Sequence, residues 1–450
     1  MAKKKQIELT IEEKLQNALV PKEEQPYKIP SNWCWLYSNF VVDVRDGTHD
    51  TPKYISEGYP LITSKNLKNN NIDFDKVNYI SKEDYEKINL RSKVDIGDVL
   101  FSMIGTIGNP VLIKGQTNYA IKNVALFKDI NLINMTFFRF YLETKFVIDK
   151  MKKEAKGSTQ KFVSLKYLRN FPICYPSLEE QQRIVNRIES LFAKLDRAKE
   201  LIENTLAQFE QNKMAILHKA FTGELTAKWR KENNIDLSSW EKIKLGKVLL
   251  PMQTKKPTGQ FFRYIDIDAI DNKRQIVKAP KLILTEKAPS RASRGVETGN
   301  ILFSMVRPYL KNIAQIDSDL SDCIASTGFY VCRCKPELNS RFLYYLFIFD
   351  KTIDYLMQFM KGDNSPSIRK DDLLNMKIDL PTIEEQQEIV NILDKLLAKY
   401  NKIKNLEQQL EKIELLKKAI LAKAFRGELD TNNPDEESAE NLLKEILAEK

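Results

Sequence analysis

The chain of 450 residues contains itself twice. GDVLFSM at 97–103 returns as GNILFSM at 299–305, and PSLEEQQRIV at 176–185 returns as PTIEEQQEIV at 381–390. AFTGEL at 220–225 returns as AFRGEL at 424–429, and Trp33 and Trp240 open the two copies. The matches keep their order at offsets of 202, 205, 204 and 207 residues, so the fold is a tandem of two similar units. Each unit is a variable globular segment followed by a more similar one. The length agrees with more than one domain.

The similar segments read as long helices. Neither Gly nor Pro occurs between Pro176 and Gly223, or between Pro381 and Gly427. Ser177 and Thr382 suit the N-cap, with Glu180 and Glu385 three residues on as in a capping box, and Gly223 and Gly427 suit the C-terminal position. The first apolar seam runs Ile184, Ile188, Leu191, Leu195, Ala198, Ile202, Thr205, Phe209 and Ile216, which is heptad spacing with polar interruptions. The second runs Ile389, Leu393, Leu396, Tyr400, Ile403, then slips one place to Leu406, Leu410, Ile413 and Ile420. Each helix spans roughly 60 Å at 1.5 Å per residue. So long an amphipathic helix has to bury its stripe, and the other copy is the nearest partner. An antiparallel pair, with an approximate two-fold axis, suits a chain that builds a globular domain between its two helices. Separate helices, each packed on its own domain, are the alternative.

The globular segments read as mixed α/β. Strands are expected at Tyr59–Ile62, Val99–Met103, Ala120–Phe127, Phe262–Ile267, Ile301–Val306 and Gly328–Cys332, and helices at Met135–Lys152 and Ser340–Met360. Phe137, Phe138, Phe140, Tyr141, Phe342, Tyr344, Tyr345 and Phe347 recur at helical spacing and are expected in the core. The stretches Ile11–Leu19 and Glu436–Glu449 are short, amphipathic, and free to dock on partners or on the helical pair. The expected division is an N-terminal segment 1–30, globular domains 31–176 and 226–381, helical regions 177–225 and 382–427, and a tail 428–450 with a short helix.

Catalytic chemistry finds little support. His49 and His218 are the two histidines, no GxxxxGK(S/T) phosphate loop occurs, and the run Gly105-Thr-Ile-Gly108 is not GxGxxG. No Asn/Asp-Pro-Pro-aromatic methyltransferase motif is present. Five cysteines without framework spacing read as thiols in a reducing compartment, not as a zinc site. Met1–Thr10 is Lys-rich with no apolar run behind it, and no stretch approaches about 18 apolar residues, so a soluble cytoplasmic protein is expected.

Binding chemistry remains. A formal net charge of +10 favours a polyanionic partner. Residues 240–311 hold 15 Lys/Arg against 6 Asp/Glu. Polar, turn-rich loops that suit a DNA backbone offer Thr48, His49, Lys53, Lys65, Asn66, Thr106, Gln160 and Lys161 in the first copy. In the second they offer Lys255, Lys256, Arg263, Arg307, Tyr309, Asn364, Ser365, Ser367 and Arg369, and Arg307, Arg369 and Asn364 suit guanine or adenine edges. No metal site is expected.

The chain resembles the specificity subunit of type I restriction–modification systems along essentially its whole length. The residues that carry this are Pro21-Lys-Glu-Glu-Gln-Pro-Tyr-Lys-Ile-Pro-Ser-Asn-Trp33, the GDVLFS strand, the loop Gly157-Ser-Thr, the Pro-x-x-Glu-Glu-Gln-Gln start of each helix and its Ala-Phe-x-Gly-Glu-Leu end. The resemblance implies an α+β fold of two target-recognition domains joined by two long antiparallel coiled-coil helices, a pseudo-two-fold repeat. Each domain would read one half of a split, asymmetric site in double-stranded DNA, with half-sites roughly 34 Å apart. It also implies two methyltransferase subunits docked on the helical regions and terminal segments, with restriction translocase subunits joining indirectly. The chain itself would bind no cofactor, S-adenosylmethionine, ATP and magnesium belonging to the partners. Two competing readings are a protein-assembling adaptor with non-specific nucleic-acid binding, and a methyltransferase with unusual motifs.

Overall fold

The computed structural model describes residues 10–157, 160–401 and 404–449. Ser158 and Thr159 of the Gly157-Ser-Thr motif, the Lys-rich residues before Thr10, and Ile403 of the second seam lie outside the described residues, as does the side chain of Tyr400. Contacts divide the chain into two compact units. The first is Met1–Leu201 with Gln408–Lys450, and the second is Ile202–Glu407. The division falls inside the long helix Leu178–Phe221, so each unit is completed by part of the other repeat's helical segment.

In the first unit an antiparallel sheet runs in the order Val42–Asp46, Val124–Asp129, Val99–Ser102, Gly108–Leu112. A smaller sheet sets Tyr59–Ile62 between antiparallel Asn78–Ile80 and parallel Ala120–Ile121. Cys34–Tyr37 pairs with Pro172–Tyr175 where the chain enters and leaves the domain. The second unit repeats this plan. Its main sheet runs Leu249–Leu250, Phe329–Cys334, Ile301–Ser304, Ile313–Gln315, and its smaller sheet again has one parallel pair, Phe261–Ile265 with Ile324–Ser326. Glu241–Lys244 pairs with Lys377–Leu380 at the neck.

Three expected elements are interrupted. The run Ala120–Phe127 is not one strand, because Asn123 takes φ +56° and the chain changes sheets there. The run Met135–Lys152 forms two helices, Met135–Glu143 and Lys145–Glu154, because Thr144 is extended and its hydroxyl caps the second by accepting from Val147 N–H. Extended Phe349 likewise separates Ser340–Ile348 from Asp350–Met357. The eight aromatics of these helices are buried as expected.

Helical segments pack into both cores. In the first unit Ile184, Val185, Ile188 and Phe192 join Ile420, Leu421, Ala424 and Phe425 in one apolar cluster. Asp196 meets Lys417 at 2.5 Å and Lys199 meets Glu414 at 3.4 Å, so rising residue numbers face falling ones and the two segments are antiparallel. In the second unit Leu217 and Ala220 pack with Ile389, Val390 and Leu393. The two closing motifs do the same work. Phe425 packs on Phe137 and Tyr141 with ring centroids 5.0 and 5.2 Å apart, and Phe221 on Phe342 and Phe349 at 5.4 and 5.3 Å.

The expected capping boxes form only by half. Ser177 Oγ accepts from Glu180 N–H at 3.2 Å, and Thr382 Oγ1 from Glu385 N–H at 3.4 Å. Their carboxylates turn elsewhere. Glu180 accepts from Thr431 Oγ1 at 2.7 Å and pairs with Arg183, which also reaches Glu436 at 2.6 Å. Glu385 accepts from Thr226 Oγ1 at 2.6 Å and Trp240 Nε1 at 2.9 Å, and pairs with Arg230. Burial pushes the Glu180 carboxyl above its usual range, and the Thr431 and Arg183 hydrogen bonds pull the other way. Helix Ile11–Ala18 and helix Ala439–Glu449 pack on each other through Leu15, Ala18, Ala439 and Leu443.

Candidate nucleic-acid interface

Four loops of the first unit are tied into one rim beyond the strand Val99–Ser102. Gly47 follows the strand Val42–Asp46, and its α-carbon faces the Ile121 carbonyl so closely that a Cβ would lie 2.3 Å from the oxygen. That contact requires glycine and presses the loop onto the turn at 122–123. Thr48 N–H donates to Ile121 O at 3.0 Å and Asn123 N–H to Thr48 O at 3.1 Å, which presents Thr48 and exposed His49. Ser64 Oγ reaches Asn123 O at 3.3 Å and Ser102 Oγ reaches Ser64 O at 3.2 Å, joining the Lys65 loop. Past Ser102, Gly105 N–H donates to Lys161 O at 2.8 Å, so Thr106 meets Gln160 and Lys161.

His49 bridges part of this rim. Its Nε2 lies 2.8 Å from Asp46 Oδ2 and its Nδ1 2.9 Å from Asn123 Oδ1, while Asp46 also pairs with Arg91. Thr106, Gln160, Lys161, Lys53 and Lys65 are exposed. Asn66 is not available to DNA. It is buried, its Oδ1 accepts from Thr63 N–H and hydroxyl at 3.0 and 2.9 Å, and its Nδ2 donates to Asp73 O and Lys76 O. Such a saturated amide shapes the loop from inside.

The second unit builds the equivalent rim. Arg307 N–H donates to Pro366 O at 2.8 Å and Ile368 N–H to Met305 O at 3.0 Å, bringing Arg307 and Tyr309 to Asn364, Ser365 and Ser367. Arg369 is exposed just before helix Lys370–Leu374. Lys255 N–H donates to Ser293 O at 3.1 Å and Gly295 N–H to Gln253 O at 3.1 Å, setting exposed Lys255 and Lys256 beside the strand Ala292–Gly295. Arg263 is committed elsewhere. Its guanidinium holds Asp322 at 2.9 Å and the Asp319 carbonyl, so it clamps a strand to a loop.

Sequence reasoning missed several neighbours. Lys122, whose ammonium donates to Thr51 Oγ1, and Asn123 form the turn under the His49 loop. The amide-bearing Asn123 inside an apolar run was the available signal for that turn. Arg291 and Arg294 flank the Lys255 loop, with Thr254 bridged to Arg294. Strand alternation from Ala292 hid them. Among the described residues no group of His, Cys, Asp and Glu is arranged to hold a metal ion, and no helix is long and apolar enough to cross a membrane.

Two duplicated α/β frames, each braced by helical segments and carrying unlike, basic loops, define a tandem two-unit protein. The family description "Type I restriction modification DNA specificity domain" matches residues 47–208 and 240–415. The chain belongs to that family, and its role is DNA sequence recognition without catalysis of its own. It is 27% identical to the type I restriction enzyme EcoDI specificity subunit of Escherichia coli, over 67% of this chain and 74% of that one. It is 24% identical to the StySPI specificity subunit of Salmonella potsdam, over 94% and 96%. A chain from a structure reported for complex assembly and conformational transition of the type I R-M system matches in fold with a TM-score of 0.67. That match has 20% identity and covers 90% of this chain and all of the other. The HsdS subunit of Thermoanaerobacter tengcongensis matches with a TM-score of 0.51 at 20% identity, over 90% and 99%.

Proposed function

We propose that each loop rim reads one half of a bipartite, asymmetric site in double-stranded DNA. The observation that carries this reading is one frame built twice with different side chains at the same loops. Thr106, Gln160 and Lys161 stand in the first unit where Pro308, Ser365 and Pro366 stand in the second, counted from the flanking repeats. Thr48, His49, Lys53 and Lys65 complete the first rim, and Lys255, Lys256, Arg307, Tyr309, Asn364, Ser367 and Arg369 the second. Cations at such loops hold the backbone, while fork-shaped and amide groups read base edges.

The helical segments act as the spacer, and together with the terminal segments they dock two methyltransferase subunits. The repeated segments supply two similar surfaces, which suits two identical partners. S-adenosylmethionine, ATP and magnesium are then needed by partner subunits in the cytoplasm, with restriction translocase subunits joining indirectly.

The test is to insert one helical turn near Leu201 in Leu178–Phe221 and a matching turn in the partner segment, then map methylated adenines in cells carrying the methyltransferase subunits. Both half-sites stay the same and the accepted gap between them changes, since a turn adds about 5.4 Å. An unchanged gap overturns the spacer role, and unrelated duplex competing as well as the mapped sequence overturns specific reading.

A further inference from the structure

The two rims share one backbone device with one difference. In the first unit the chain leaves strand Val99–Ser102 through Met103, Ile104 and Gly105. Val163 N–H donates to Met103 O at 2.9 Å and Gly105 N–H to Lys161 O at 2.8 Å, with Gly105 at φ +75°. In the second unit Met305, Val306 and Arg307 follow strand Ile301–Ser304, and the equivalent bonds are Ile368 N–H to Met305 O at 3.0 Å and Arg307 N–H to Pro366 O at 2.8 Å. Arg307 sits at φ +47°. One copy therefore meets a left-handed turn with glycine and the other places an arginine there, which lacks the short side chain that lets Asn or Asp adopt this backbone.

The side chain held in this way is exposed. Among the described residues Arg307 makes no ion pair; its Nη2 donates to the Asn364 carbonyl at 2.9 Å. A neutral acceptor orients the guanidinium without neutralising it and leaves most of its donors free. Arg263 and Arg333 in the same unit are instead held by Asp322 and Glu297. Pro308 fixes the following backbone, and exposed Tyr309 flanks the tip.

We infer that Arg307 is a specificity-determining residue: it reads a guanine, through O6 and N7 in the major groove, in the half-site of the second unit. This rests on the reading of the chain as a bipartite DNA-recognition subunit. A planar fork matches those two acceptors, and the left-handed backbone at Arg307 sets the direction in which it leaves the chain. At the same station the first unit offers only backbone, so its half-site carries no base read from there.

The test uses the full chain with its methyltransferase subunits, comparing wild type with Arg307→Gly, Arg307→Lys and Arg307→Gln by mapping modified adenines and by measuring binding to the mapped duplex. Arg307→Gly keeps the left-handed turn, so its melting temperature stays at or above that of wild type. Its first half-site is unchanged, one guanine·cytosine pair of the second becomes degenerate, and affinity for the original duplex falls about ten- to a hundred-fold. Lysine does not restore the lost base preference. Overturning results are an intact motif in Arg307→Gly, a wild-type second half-site lacking guanine, or uniform weakening on all sequences that lysine rescues, which marks a phosphate contact. A wild-type complex that marks no bipartite sequence overturns the recognition reading itself; an intact motif in the variant overturns only the role of Arg307.

Discussion

Cys34 on the strand Cys34–Tyr37 and Cys174 on its partner Pro172–Tyr175 are both buried beneath the first unit's apolar side chains. Desolvation pushes the Cys34 thiol up to about 12 and raises Cys174 as well. In the second unit it pushes Cys323 up to about 11 and Cys334 up to about 12, and raises Cys332. Thiolates are the reactive form, so near pH 8, roughly, these thiols stay protonated and inert. A disulfide-exchange reagent should consume less than one thiol equivalent from the native chain, and all five after denaturation in guanidinium. Rapid release of several equivalents from native protein would contradict this burial. The free thiols were legible from the odd count and spacing. The fates of Asn66 and Arg263 were not, because their partners, Asp73, Lys76 and Asp322, belong to loops whose approach no local pattern encodes.

At the scale of the element, the start of each long helix is where the sequence misled most usefully. The Pro-x-x-Glu-Glu-Gln-Gln pattern announced a capping box, and the helices do begin there. Yet neither carboxylate turns back to its cap: Glu180 reaches distant Thr431 as well as Arg183 one turn along its own helix, and Glu385 reaches the distant Thr226, Arg230 and Trp240. Local spacing shows which residues a helix offers, while tertiary packing decides what they bind. Both carboxylates are buried, and the two clusters differ at the cation: Arg230 is 9% exposed in its side chain and Arg183 38%. Arg230→Ala leaves the Glu385 charge buried without its cation and should cost about 3–5 kcal/mol. Arg183→Ala also leaves a buried carboxylate, but Thr431 still donates to Glu180 and water reaches the vacated place, so it should cost less, about 1–3 kcal/mol. Chemical denaturation of each variant checks the ordering, and equal losses would refute the role assigned to burial. The interrupted helices at Thr144 and Phe349 were illegible for a similar reason, since neither is Gly or Pro.

For the whole molecule, the duplication and the helices Leu178–Phe221, Ile383–Asn401 and Lys404–Ala424 were legible because repeats and heptads are written directly in the sequence. The composition of each unit was not. A linear reading assigns each helical region to one stretch, whereas the helix Leu178–Phe221 contributes to both units and the first unit recruits residues from 408 onward. Helix Ala439–Glu449, Asn432 and Asn433 close the first unit on helix Ile11–Ala18, Asn32 and Trp33, with Asn32 Nδ2 reaching Asn432 Oδ1 at 2.9 Å. Leu443→Ala should therefore weaken the first unit by about 2–5 kcal/mol. Hydrogen exchange should show lost protection in Val42–Asp46 and Val124–Asp129 and little change in Ile301–Ser304. Equal loss in both units would deny that the tail belongs to the first. The same arrangement has a consequence for biosynthesis. Residues 202–407 form one unbroken stretch, so a nascent chain can finish the second unit as soon as it has cleared the ribosome. The earlier-made unit must wait for its closing segment through a delay of about 10–40 s at 5–20 residues per second. During that interval the faces that later receive Phe425 and Leu443 are open, and shielding by a chaperone would matter most for the half of the protein that is translated first.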